Sequence, residues 1–177
     1  TGATLTREVA KRIVGAYLAR NGAVSVAVSP VGRTGTDGID IRYMRAGRPT
    51  TARVQADCYF GVDAEKAADR ALPMYRMESS TYAFEEIADV ATKMPGWIFS
   101  TQADVLLYYR MAIARPEAEV AALLGSPDAV FFSELGVERD ELRMIPLPDL
   151  RTWFTREADK FTPRPVIAQG RMSWCRI

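Results

Sequence analysis

A chain of 177 residues that is 48% hydrophobic and 25% charged is long enough to bury a core and too apolar to be a disordered tail. Its formal net charge of +1 supplies no overall attraction to nucleic acid or an anionic membrane. Apolar runs such as Val105 to Tyr109 fall far short of the ~20 residues a membrane-spanning helix needs. The absence of histidine excludes Ser-His-Asp and Cys-His hydrolases and histidine-ligated zinc, and two cysteines, Cys58 and Cys175, cannot close a four-thiolate site.

Those cysteines read as small buried hydrophobes rather than as a disulfide, since nothing else points to an oxidising compartment. With no signal-peptide pattern visible, a cytoplasmic location is expected. Neither a GxxxxGK[ST] phosphate loop nor a GxSxG nucleophile turn occurs. Carboxylates, arginines, hydroxyls and four lysines remain for chemistry.

In chain order, Leu5, Val9, Ile13, Ala16 and Tyr17 recur at helical spacing, and Gly22 follows, so a helix is predicted from Leu5 to Arg20. The alternation from Ala23 to Pro30 suits a strand, and the glycines from Gly32 to Gly38 mark a turn. Ile39 to Arg45 and Thr51 to Phe60 read as two strands joined through Ala46-Gly47-Arg48-Pro49. Asp63 to Ala71 looks helical. Tyr82 to Ala91 is a candidate strand whose later part also suits a helix, and Val105 to Ala112 is a candidate strand. Pro116 to Leu124 reads as a short surface helix with proline in its first turn. Arg143 to Pro146 resembles a short strand, Leu147 to Asp159 a helix, and Met172 to Ile177 an edge strand. No repeat or linker interrupts the series. One α/β domain spanning 1–177, with a central mixed sheet flanked by helices, is expected.

The region from Asp37 to Tyr59 places acids on two neighbouring strands. Strand alternation puts Asp40, Arg42 and Met44 on one face and Ile39, Ile41 and Tyr43 on the other; Arg53, Gln55, Asp57 and Tyr59 share a face of the next strand. If the strands pair as a hairpin, Asp40 is expected across from the Gln55 to Asp57 end. Two carboxylates and an amide oxygen at one point would suit Mg²⁺ or Mn²⁺, with Asp40 and Asp57 as metal ligands. Glu8 could overhang the same end, although the helix dipole and Arg12 at i+4 also account for it. Asp37 before glycine fits a turn role. Asp40, between two isoleucines, needs something to offset its poor strand propensity, either a catalytic duty or an ion pair with Arg53.

Five arginines, Arg33, Arg42, Arg45, Arg48 and Arg53, stand against Asp37 and Asp40 over residues 33 to 53, a local charge of +3. Arg42, Arg45, Arg48 and Arg53 are therefore candidates for holding the phosphates of a nucleic acid; a solvated hairpin is the plainer alternative. Trp97, Phe99, Tyr108 and Tyr109 can stack on bases or pack in a core. Asp104 suits either an auxiliary polar group or a turn.

The order helix with Glu8, strand, GTDGIDI, strand ending VQADCY, then helix resembles the PD-(D/E)xK nuclease superfamily, in particular its Holliday-junction-resolvase-like and restriction-endonuclease-like branches. PGWIFSTQADVLLYYRM and LRMIPLPDLRTWF look like the later halves of small phage and plasmid proteins with that fold. The resemblance implies metal-dependent phosphodiester hydrolysis, with Glu8, Asp40, Gln55 and Asp57 as catalytic positions and DNA as the partner. Gln55 stands where an acid is usual and Asp57 where lysine is usual, leaving Lys66 or Lys93 as replacements. The alternative is an inactive nuclease-like protein that binds nucleic acid, or an interaction module assembling as a homo-oligomer, with no membrane partner in either case.

Overall fold

The long helix α1 (Gly2–Arg20) forms because Leu5, Val9, Val14 and Leu18 repeat at helical spacing and all bury. It ends where Gly22 takes a positive φ of 87° and Ala23 N donates back to Leu18 O at 3.0 Å. The computed structural model describes residues 2–32, 37–61, 82–168 and 170–176. The helix expected from Asp63 to Ala71, together with Lys66 and Arg33, lies outside the described residues.

After α1 come β1 (Val24–Val28), β2 (Ile41–Arg45) and β3 (Arg48–Phe60), then β4 (Phe84–Asp89), β5 (Met94–Pro95) and the single turn α2 (Trp97–Ser100). β6 (Val105–Ile113), α3 (Glu117–Leu123), α4 (Asp128–Glu134), β7 (Val137–Pro146) and α5 (Leu147–Glu157) follow. A 3₁₀ turn over Ala158–Lys160 leads into β8 (Pro163–Ala168) and β9 (Arg171–Arg176).

Two sheets result. The first runs β1-β2-β3-β6-β7 and is mixed, because β3 and β6 are parallel while the other neighbours are antiparallel. The second, β5-β4-β9-β8, is antiparallel. β6 is buried along nearly its whole length and alternates between two cores. Leu107, Tyr109, Met111 and Ile113 meet α1, α3 and α4 on one face, whereas Leu106 and Tyr108 meet Phe84, Trp97 and α5 on the other. This is the expected mixed α/β architecture with helices against the central sheet.

Several elements differ from expectation. β7 runs ten residues rather than the four from Arg143 to Pro146, because it pairs with all of β6. The final apolar run is not an edge strand, since β9 lies between β4 and β8. The ambiguous Tyr82 to Ala91 stretch resolves as the strand β4, held by β5 and β9. The expected four-residue link between β2 and β3 is a two-residue turn at Ala46-Gly47, with Arg48 and Pro49 already inside β3. No helix among the described residues is long and apolar enough to cross a membrane.

Candidate functional site

Asp40 precedes β2 and is 1% exposed. Its backbone still follows the sheet, with Asp40 N donating to Ala52 O and Ser29 N donating to Asp40 O, both at 2.8 Å. β3 continues past the end of β2, so the Val54 N–H would face no backbone acceptor there. The Asp40 carboxylate takes that place, its Oδ2 accepting from Val54 N at 2.8 Å. Arg7 on α1 supplies the countercharge, its Nη2 lying 2.7 and 2.8 Å from the two carboxylate oxygens. This is what offsets an aspartate between isoleucines.

The ion partner is thus Arg7 rather than the expected Arg53. The facing pattern changes too. Ile39 packs in the core with Trp97, while Ile41 and Tyr43 pack in the α1 core, so the three do not share one face. The backbone turns at Gly38, φ 69°, before regular pairing starts at Ile41.

Glu8 is buried with Lys11, whose Nζ lies 2.8 Å from Glu8 Oε1 and donates to Ser29 Oγ at 3.1 Å. Gly32 N donates to the same glutamate oxygen at 3.2 Å. Arg12, the expected partner of Glu8, reaches Asp128 on α4 instead, at 2.6 Å. Lys11 is 1% exposed, and neither it nor Arg7 was singled out from the sequence. Their spacing was legible, since Lys11 stands at i+3 from Glu8 and Arg7 beside it on the same helix. What the spacing left undetermined is which of two neighbouring cations turns inward.

Asp57 lies elsewhere. Ile41 pairs with Ala52, so extending the antiparallel register by one residue puts Asp40 against Arg53 rather than against the Gln55 to Asp57 end. Asp57 is four residues further along β3, about 13 Å at ordinary strand rise. Its Oδ2 accepts from Tyr108 OH at 2.9 Å and lies 3.7 Å from Arg110 Nε. Burial, followed by the Asp57 charge, pushes the Tyr108 hydroxyl pKa up. Asp40 and Asp57 are therefore not brought to one point. Among the described residues no group of three His, Cys, Asp or Glu side chains is placed to hold a metal ion. As placed, Asp40 and Asp57 do not form a Mg²⁺ or Mn²⁺ site.

Glu8 and Gln55 do meet at one place. They line a cleft of about 510 Å³ together with Arg7, Arg53, Glu85 and Trp97, between α1, the Arg53 face of β3 and the second sheet. Arg53 lies with its guanidinium carbon 5.2 Å from the Trp97 ring centre. Burial, and then the nearby Arg7 charge, lower its pKa to about 10, against the opposing pull of Asp40 and Glu85.

The other arginine candidates are spread along the hairpin. Arg42 pairs with Asp37, whose carboxylate also accepts from Ile39 N at 3.1 Å, and that turn bond leads the causes holding its pKa below the ordinary value. Arg45 and Arg48 sit opposite each other at the exposed hairpin tip. Asp104 clamps β3 to β6 by accepting from Thr51 N and Oγ1. Trp97, Tyr108 and Tyr109 are core residues, whereas Phe99 remains exposed. Lys93 occupies the β4–β5 turn with φ 57°, and the cleft lining does not include it. No protein-family model matches the chain, and neither a curated protein nor a solved structure matches it significantly.

Proposed function

We propose that this chain binds the phosphate backbone of nucleic acid, DNA in the first instance, without cleaving it. One observation carries the reading, namely which charges are left over. Glu8, Asp40 and Asp57 each have a cation at hand, in Lys11, Arg7 and Arg110. Arg45 and Arg48 face each other across the hairpin with no salt bridge among the described residues. Like charges directly opposite on a strand pair are unfavourable, and a phosphate between them relieves the repulsion. An exposed arginine pair of this kind suits an anion rather than a cation. The resemblance to PD-(D/E)xK nucleases belongs to this proposal as a DNA-holding framework, with Asp57 in place of the lysine that hydrolysis requires. A cytoplasmic location goes with it, in keeping with free Cys58 and Cys175.

The test is fluorescence anisotropy with labelled single-stranded and duplex oligonucleotides over a range of salt. Affinity should fall steeply with salt, and the Arg45→Ala/Arg48→Ala double variant should reduce the log–log slope by about two. Binding that ignores salt, or a double variant that binds like the parent, overturns the proposal. A second reading, hydrolysis, is favoured by one observation, that Glu8, Gln55 and the Asp40 partner Arg7 line a single cleft. Mg²⁺- or Mn²⁺-dependent cleavage, abolished by Asp40→Asn in a protein that still folds, would establish it. A defined oligomer with no affinity for any oligonucleotide would favour an assembly module over both.

A further inference from the structure

The hairpin arginines hold a backbone from outside, but the cleft at Arg53 has a different character. It has a floor, β3, and two walls, the first turns of α1 and the strands of the second sheet. At about 510 Å³ it is the size of a small-molecule site. It carries charges of both signs. Arg7 and Arg53 line it as cations, Glu8 and Glu85 as acids. Glu8 is held by Lys11, and Glu85 Oε1 accepts from Trp97 N at 3.3 Å. Asp40 sits behind Arg7. A run of phosphates threaded through this cleft would meet carboxylates as well as guanidiniums, whereas one phosphate has only to reach the guanidiniums.

Arg53 is the group with something to gain. Its Nε is buried and meets no hydrogen-bond acceptor among the described residues, and its Nη1 reaches only Gly38 O at 3.5 Å. A half-buried guanidinium whose Nε is shielded and without an acceptor, and which feels Arg7 as well as the favourable charges of Asp40 and Glu85, is stabilised further by an incoming anion able to accept from it. Gln55 and Thr4, also on the lining, bring an amide and a hydroxyl suited to the polar edges of a nucleotide. We propose, building on the nucleic-acid reading above, that the cleft seats one terminal phosphorylated nucleotide of a single strand, its phosphate between Arg53 and Arg7. The protein would then recognise strand ends.

Three single-stranded oligonucleotides of one sequence test this, carrying a 5′-phosphate, a 3′-phosphate or no terminal phosphate, with a free nucleoside monophosphate as competitor. One phosphorylated end should bind about tenfold tighter than the unphosphorylated strand, and the monophosphate should erase that advantage. Arg53→Gln should bring the ratio close to one. Glu85→Gln should raise it by removing a repelling charge. Arg45→Ala/Arg48→Ala should weaken all three strands while keeping the ratio. Equal affinity of all three strands for the unaltered protein overturns the proposal, whatever the variants do, and leaves the backbone-binding reading standing. Failure of every strand to bind overturns both.

Discussion

At the scale of single residues, the Arg7–Asp40 pair joins α1 to the hairpin at a point where no backbone acceptor is available for Val54 N. Removing one member of such a pair leaves the other facing a neutral group in a poorly hydrated place. Asp40→Asn should therefore lower unfolding free energy by about 3 kcal/mol, read as a shift of the urea midpoint with an unchanged slope. A metal-binding or catalytic aspartate held only for chemistry would instead leave stability the same or raise it on substitution. Cys58 offers a pH-dependent counterpart. Burial, and then the Asp57 and Glu117 charges, raise its pKa from 9.0 to about 12. The folded state thus keeps a proton that the unfolded chain loses first. The stability this confers is complete below pH 9 and is lost as pH rises towards 12. At pH 8.5, thiol-specific labelling of the native protein should run on the order of a hundredfold slower than in urea. Equal rates would mean that Cys58 is solvated.

At the scale of elements, the β2–β3 turn carries a visible cost. Pairing of Arg45 with Arg48 across Ala46-Gly47 requires positive φ at both central residues, and they sit at 50° and 74°. Glycine adopts this freely and alanine does not. Ala46→Asn should stabilise the protein by about 1 kcal/mol and raise Tm by about 3 °C, measured by thermal unfolding. The hairpin itself was legible, because Gly47 lies between two alternating apolar segments; α1 was legible from its apolar spacing. The register that decides the site was not. Shortening the link from Ala46-Gly47-Arg48-Pro49 to Ala46-Gly47 moves the partner of Asp40 by two residues, from Gln55 to Arg53, and periodicity cannot distinguish the two when Arg48 and Pro49 fit either turn or strand. The second sheet was hidden for a related reason. β5 has two residues, and its approach to β4 depends on Gly96, where an added Cβ would lie 2.0 Å from Glu85 O. No local pattern announces so close a contact.

At the scale of the whole molecule, β6 ties the two cores together, because alternate residues of one strand supply both. Neither core can lose its share of β6 without exposing the other face. The arrangement therefore predicts one cooperative unfolding unit despite two sheets and two apolar clusters. The tryptophans make this measurable, since Trp97 on α2, Trp153 on α5 and Trp174 on β9 all lie on the side of the second sheet. Their fluorescence reports that side, whereas far-UV circular dichroism reports α1 and the first sheet as well. Leu107→Ala opens a cavity in the opposite core, among residues that meet α1, and should cost about 3 kcal/mol. If the chain unfolds as one unit, the fluorescence and dichroism transitions in guanidinium should superimpose in the parent and move together by the same amount in the variant. A variant whose dichroism falls early while tryptophan emission holds its original midpoint would mean that the two sheets are separate units. β6 would then be a boundary between them rather than a shared spine.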